Sequence, residues 1–553
     1  MPRPDDRCSP FPFWRYGLGL ALSAGVAWSS EASPVPALPP APAAAVSPAT
    51  PASVYQRSTP ARPRNEVDRA VFPRLQRLAL TPARPCSDAV FGRRVFLDVI
   101  GTLPTAAEMR AFLQSQQPNK RELLIETLLG REEFADYWAM KWSDLLRVKA
   151  EFPINLWPNA AQAYHQWIRT ALRDNRPYDQ FARELLTASG SNFRVGPANF
   201  YRAVQSREPA AIARTVALTF MGVRAEKWPA TQLDDLAKFF TPVSYKATGE
   251  WKEELVFFDG TKVPTGAAAR TTFPDGTPVT LSGDRDAREV FAEWLIQPDN
   301  PWFARAFANR VWSWLFGRGI VHEPDDFHPD NPPSHPALLE LLTRELLSSG
   351  FDPKHLFRLI LNSQTYQLSS LPAPGLSPAQ LDRAETHFAF YPLRRLEAEV
   401  LIDALNQITG TTDRYSSAIP EPFTYIPADV RSIALPDGSI SSPFLETFGR
   451  PARDTGLESE RSRQITASQR LHLLNSTHIQ RKLEQGPRLQ RLVRSTRPPR
   501  EIAEELYLTI LSRPPTPAEL EVVTAYLKSH DARTAAVDLA WALINSAEFL
   551  YRH

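Results

Sequence analysis

The chain has 553 residues, enough for two or three domains, and its 43% hydrophobic and 22% charged content is that of a folded protein. Sixty-three basic against 61 acidic side chains leave a net charge of +2, and no long basic stripe occurs, which excludes electrostatic capture of nucleic acid. The two cysteines, Cys8 and Cys86, exclude a four-cysteine zinc site and covalent c-type haem.

Residues 1–32 read as an export leader. Arg3, Arg7 and Arg15 precede the apolar run "YGLGLALSAGVAW", which ends in "SSEA". Thirteen residues are too short to span ~30 Å of hydrocarbon comfortably, so cleavage near Ala32 is expected, with an uncleaved N-terminal membrane anchor as the alternative. The expected product lies outside the cytoplasm, in the periplasm or secreted, with no stable membrane span. Residues 33–64, "SPVPALPPAPAAAVSPATPASVYQRSTPARPR", are dominated by proline and alanine and read as a disordered linker. After cleavage Cys86 would be the only thiol, so no internal disulfide is expected.

Residues 65–240 carry helical periodicity. Thr105 and Glu108 have capping-box spacing, and two helices in "YHQWIRTALRDNRPYDQFARELLTASG" are separated at Pro177. The period fails over residues 241–283, where "WKEELVFFDGTKVP" and "RTTFPDGTPVTL" alternate like strands. Their Asp259-Gly260 and Asp275-Gly276 pairs suit tight hairpin turns. Residues 284–553 are helical again. Ser334 is expected to cap a helix with Pro336 in its first turn, Gly350 after its end, and Leu338, Leu342 and Leu346 inward. A second helix places Leu401, Leu405 and Ile408 inward, and Thr516 with Glu519 forms another capping box. The expected fold is mainly α: two fused helical domains with a small β-hairpin insertion between them.

Several of these stretches carry a resemblance. "FGRRVFLDVIGTLPTAAEMRAFL", "YWAMKWSDLLR" and "RPYDQFARELLTASG" resemble the planctomycete-type family DUF1549, also called PSCyt2. "EWLIQPDNPWFARAFANRVWSWLFGRGIVHEPDDF", "NPPSHPALLELL", "RRLEAEVLIDAL", "FGRP" and "LHLLNS" resemble its companion DUF1553, or PSD1. The resemblance implies an exported bacterial protein without an established reaction. It also implies a Cys-x-x-Cys-His stretch after "ALTFMGV", with the spacing of haem attachment, and in a subset of members a Cys-x-Cys-Glu-Arg element after "FGRP". Here Arg224, Ala225, Glu226 and Lys227 stand at the first place, and Gly456, Leu457 and Ser459 at the second. This chain is expected to carry no cofactor and to have lost a single haem or metal site that both thiol pairs served.

"GRGIVHEPDDFHPDNPPSHP" concentrates histidines and carboxylates, but His322, His328 and His335 are six and seven residues apart in a proline-rich, extended stretch. That spacing favours a structural corner over a metal site. Asp325 or Asp326 would accept backbone amides or pair with Arg310, Arg318, Arg394 or Arg395, Phe327 would anchor the loop, and Asp326→Asn would lower stability. The candidate ligand-binding residues are Asp325, Asp326, His335, Arg395 and Glu397; no catalytic residue and no metal ligand is assigned. Arg394, Arg395, Glu397 and Glu399 read more readily as an exposed, mixed-charge first turn than as an anion pocket. Trp138, Trp142, Trp312 and Trp314, at near-helical spacing, read as core before a sugar platform. Two functions stand open: a cofactor-free binding or scaffold protein associated with envelope polysaccharide or redox systems, its partner a polysaccharide or another secreted protein, and a secreted enzyme acting on carbohydrate around Asp325, Asp326 and His335.

Overall fold

The helix Asp88–Ile100 lies at the centre of the molecule, with every residue from Val90 to Ile100 buried. Ser87 caps its start by accepting from the Val90 amide. Gly101 ends it at φ +59°, where a Cβ would run into the Tyr137 ring, so glycine is required both by conformation and by space. The computed structural model describes residues 52–553 apart from 264 and 496. The leader expected at residues 1–32 and the linker up to residue 51 lie outside them.

The described protein is mainly α-helical. One hydrophobic cluster runs from Val67 to Phe549 and takes side chains from both helical halves. The tryptophan stripes meet inside it: Trp138 and Trp314 lie 5.2 Å apart, Trp142 and Trp314 5.8 Å apart. All four tryptophans are buried core, as the periodicity predicts. Such rings remove large apolar areas from water and gain further from tilted ring contacts.

Both capping boxes form, at Thr105 with Glu108 and at Thr516 with Glu519. The inward leucines of the helices Pro336–Ser348 and Ala398–Thr409 are buried. Three local expectations fail. The cap of Pro336–Ser348 is His335, whose Nδ1 accepts from the Leu338 amide at 3.2 Å, while the Ser334 hydroxyl donates to the Ile320 carbonyl. Imidazole serves here because the ring is buried and cannot turn to water. Asp259-Gly260 does not turn a hairpin: Val243–Ala247 and Glu254–Phe258 pair through a loop at residues 248–253, and Gly260 instead begins a short 3-10 turn. Asp275-Gly276 does turn one, between Arg270–Thr272 and Pro278–Thr280.

The third difference concerns the linker. Its last residues lie against the body: Tyr55 donates to Glu548, Arg57 pairs with Asp88 at 2.5 Å, and Arg64 donates to Gln367. Arginine and tyrosine spaced among the prolines supply anchors that composition alone does not reveal. Among the described residues no helix is long and apolar enough to cross a membrane.

Candidate functional site

The five candidate residues do not come together. Asp325 and Arg310 form an ion pair at 2.9 Å with both side chains 1% exposed, and the second Asp325 oxygen accepts from the Glu458 amide at 2.7 Å. Asp325 is therefore the carboxylate that holds the corner, through Arg310. Asp326 faces outward and pairs with Lys227 at 2.8 Å. His335 caps its helix, and burial, with Arg74 nearby, lowers its pKa to about 4. His322 and His328 are partly exposed. No group of three His, Cys, Asp or Glu side chains converges as metal ligands would among the described residues.

Glu397 belongs to a different region, and so do its neighbours. Of the expected exposed turn, Arg394, Glu397 and Glu399 are buried in a network of charges, and Arg395 alone is partly exposed. Asp98 accepts from Arg394 at 2.9 Å, Arg552 at 2.8 Å, and the hydroxyls of Tyr366 and Tyr391 at 2.9 and 2.7 Å. Glu397 accepts from Lys141 at 2.6 Å, from Tyr137 at 3.3 Å and from Arg552. Glu399 accepts from Arg461 at 2.6 Å, and Asp144 joins Arg461 at 2.6 Å to Arg453 at 3.0 Å. Burial alone would raise the pKa values of Glu397 and Glu399, but the surrounding cations reverse it: Arg552 and Lys141 hold Glu397 well below its usual range, and Arg461 brings Glu399 to about 2. With each of these carboxylates paired, the network links the two halves, although Arg394 Nε, Arg453 Nη2 and Arg552 Nε have no partner among the described residues.

The expected thiol positions meet at the Asp325 corner. Phe327 donates its amide to the Gly222 carbonyl, Lys227 holds Asp326, and Arg310 reaches the Leu218 and Thr219 carbonyls. From the other side Glu458 donates its amide to Asp325. Both segments thus touch one place, and there this chain has ion pairs where haem attachment needs thiols. Cys86 is buried elsewhere, near Arg121. These residues do not fit a covalently held haem.

An open cleft lies elsewhere. A cleft of about 820 Å³ is bordered by the helix Pro158–Arg173, by Glu250 of the β insertion, and by residues from Tyr425 to Ile440. The helix turns a polar face to it: Asn159, Gln162 and Gln166, three and four residues apart, are exposed, while Ala160, Ala161, Tyr164 and Ile168 are buried behind them. Arg169 is fixed there by Asp136 at 2.5 Å. His165 also lines the cleft but is 5% exposed, and its Nε2 has no hydrogen-bond partner among the described residues. Burial first, then Arg453 and Arg169, lowers its pKa to about 3, so it stands neutral with unspent hydrogen-bonding capacity.

A cluster of aromatic rings sits on residues adjacent in the chain to those that line the cleft. Trp157 and Trp251 lie 4.7 Å apart, and Phe423 lies 5.3 and 5.5 Å from them. The Lys252 ammonium is 5.4 and 5.6 Å from the two indole centroids. Trp251 is 61% exposed and Tyr425, which lines the cleft, 68% exposed. Each ring of the cluster is one or two positions from a cleft residue: Trp157 from Asn159, Trp251 from Glu250, Phe423 from Tyr425. Trp157 and Lys252 adopt φ of +74° and +64°. Side chains other than glycine pay ~1–3 kcal/mol for such backbone, which persists where the surroundings fix it and concentrates at binding sites. The sequence expectation missed this cleft. Its legible trace was the Asn159/Gln162/Gln166 spacing and the tryptophan in a hairpin loop.

Residues 66–228 match PSCyt2, a protein of unknown function (DUF1549), and residues 287–527 match PSD1, a protein of unknown function (DUF1553). No curated protein and no solved structure matches the chain.

Proposed function

We propose that this chain, which belongs to the family joining DUF1549 to DUF1553, is an exported, cofactor-free protein that binds polysaccharide in the cleft between the helix Pro158–Arg173 and residues 425–440. The observation that carries the reading is an exposed shelf of indole and phenyl rings beside a polar groove. Sugar rings present apolar C–H faces that stack on aromatic side chains, and their hydroxyls exchange hydrogen bonds with amides, imidazole and fixed ion pairs. Trp251, Tyr425 and Phe423 supply the first kind of contact; Asn159, Gln162, Gln166, His165 and the Asp136–Arg169 pair supply the second. An open groove also suits a polymer, which must enter from the side. Export is supported by the charged and apolar pattern of residues 1–32. Absence of a cofactor is supported by the side chains at 224–227 and 456–459, which offer no thiol.

The test is a titration of the purified protein with neutral and acidic polysaccharides, followed by tryptophan fluorescence and calorimetry. Saturable binding that falls at least tenfold in Trp251→Ala and in Gln162→Ala is expected. Absence of binding to every polymer, or binding unchanged in both variants, rejects the cleft as the site. Release of new reducing ends during the titration would assign the protein to the enzymes instead.

A further inference from the structure

We propose that a second cleft, beside Arg395, binds a fatty carboxylate. This site does not depend on the polysaccharide reading. The cleft is about 300 Å³, at the lower end of the range of small-molecule sites, and its apolar walls include Phe448, Leu473, Leu474 and Leu550. The only charged side chains lining it are Arg395 and Arg470; no carboxylate does. A mainly apolar cleft carrying two cations is complementary to a molecule with an apolar body and an anionic head.

Arg395 supplies the second observation. Its Nη2 donates to the carbonyls of Phe448 at 2.7 Å and Ser462 at 3.1 Å, which orient the guanidinium. Its Nε and Nη1 are shielded from solvent and have no partner among the described residues. The nearest carboxylates are already engaged, Glu397 by Lys141 and Arg552 and Glu399 by Arg461, and neither forms an ion pair with Arg395. A partly buried guanidinium with unspent donors is costly to keep and is relieved by an entering carboxylate that accepts from one of them. At the mouth, Ile465 and Leu474 remain 38% and 42% exposed, apolar surface that an alkyl chain would cover.

The experiment is calorimetric titration of the purified protein with decanoate below its micelle concentration, with decanol and acetate as probes of tail and head alone. Saturable one-to-one binding of decanoate is expected, at least tenfold tighter than either decanol or acetate. Arg395→Gln should weaken decanoate at least tenfold and leave decanol unchanged. Arg470→Gln, at an exposed position, should weaken decanoate severalfold without altering the melt, and Ala547→Trp, which places a ring at the cleft wall, should abolish it. Should Arg395→Gln fail to fold, the Arg470 and Ala547 variants decide the matter. Equal affinity for decanol and decanoate, no saturable binding of decanoate, or wild-type binding in the Arg470 and Ala547 variants overturns the proposal.

Discussion

The buried network around Asp98 and the open cleft beside Trp251 are both rich in polar groups, yet they are built on opposite terms. In the network Asp98 meets four donors and Glu397 three, and each carboxylate holds the cations that hold it. In the cleft His165 keeps an unpartnered nitrogen, three amide side chains face outward, and aromatic rings stand exposed. Charge density alone therefore does not mark a site. What marks it is unspent capacity beside open space: the carboxylates of the network are saturated, and its few unpartnered arginine nitrogens, Arg394 Nε and Arg552 Nε among them, are sealed in the interior.

The sharpest way to break this comparison is at its saturated pole. Asp98→Asn should cost the most, on the order of 3–5 kcal/mol, because Arg394 loses its one carboxylate among the described residues and Arg552 is left with Glu397 alone. Urea denaturation reads this as a fall in midpoint; a change below ~1 kcal/mol would show that the network is not what joins the halves. Asp325→Asn should follow, at a comparable or slightly smaller cost, since Arg310 is buried with no second carboxylate bonded to it among the described residues.

pH probes both poles at once. The unfolded imidazole titrates near 6.5 and folded His165 near 3, so above 6.5 neither form binds a proton and its contribution to stability is complete. As pH falls below 6.5 the unfolded chain takes up a proton that the folded protein refuses, and stability drops progressively until about 3. His335 and His553, each lowered to about 4, act in the same direction, whereas Asp403, raised to about 6, acts in the opposite one. Glu399, at about 2, contributes its loss only below about 4.5. His165→Asn should therefore flatten the stability profile between pH 6.5 and 4.5, by at most ~1.4 kcal/mol per pH unit. An unchanged slope would mean that His165 is protonated in the folded cleft.

At the unsaturated pole the effects on stability should be small and those on binding large. Trp251→Ala should weaken polysaccharide about tenfold, ~1.4 kcal/mol, with little change in the melt. Smallest of all, Asp326→Asn should cost under ~1 kcal/mol, as an ion pair open to solvent, and His322→Ala and His328→Ala under ~0.5 kcal/mol. A large loss in Asp326→Asn would return the corner to the aspartate first expected to hold it.

Legibility in the sequence falls with distance along the chain, with the Ser334 cap and the Asp259-Gly260 turn as local exceptions. Capping boxes, inward leucines and the Asp275-Gly276 turn are set within a few residues, and each forms. The pairing of Asp325 with Arg310, fifteen positions away, was among the options that the sequence presents. "RRLE" could not be read correctly, because an alternating charged turn looks solvated until its partners are known, and those partners, Asp98 and Lys141, lie 296 and 256 positions away. The linker misled for the same reason, since Tyr55 reaches Glu548 across 493 positions. The cleft is assembled from five separate segments, around Asp136, Asn159–Arg169, Phe193–Arg194, Glu250 and Tyr425–Ile440, none of which carries a motif alone.

The bond between Asp98 and Arg552 also ties the central helix to a strand far along the chain. That helix is complete as sequence by residue 100, and one of the two arginines bonded to its aspartate stands 454 positions later. Trimming Tyr551–Arg552 would therefore remove a buried partner and not a loose tail, and the loss would spread to Glu397, which Arg552 also holds.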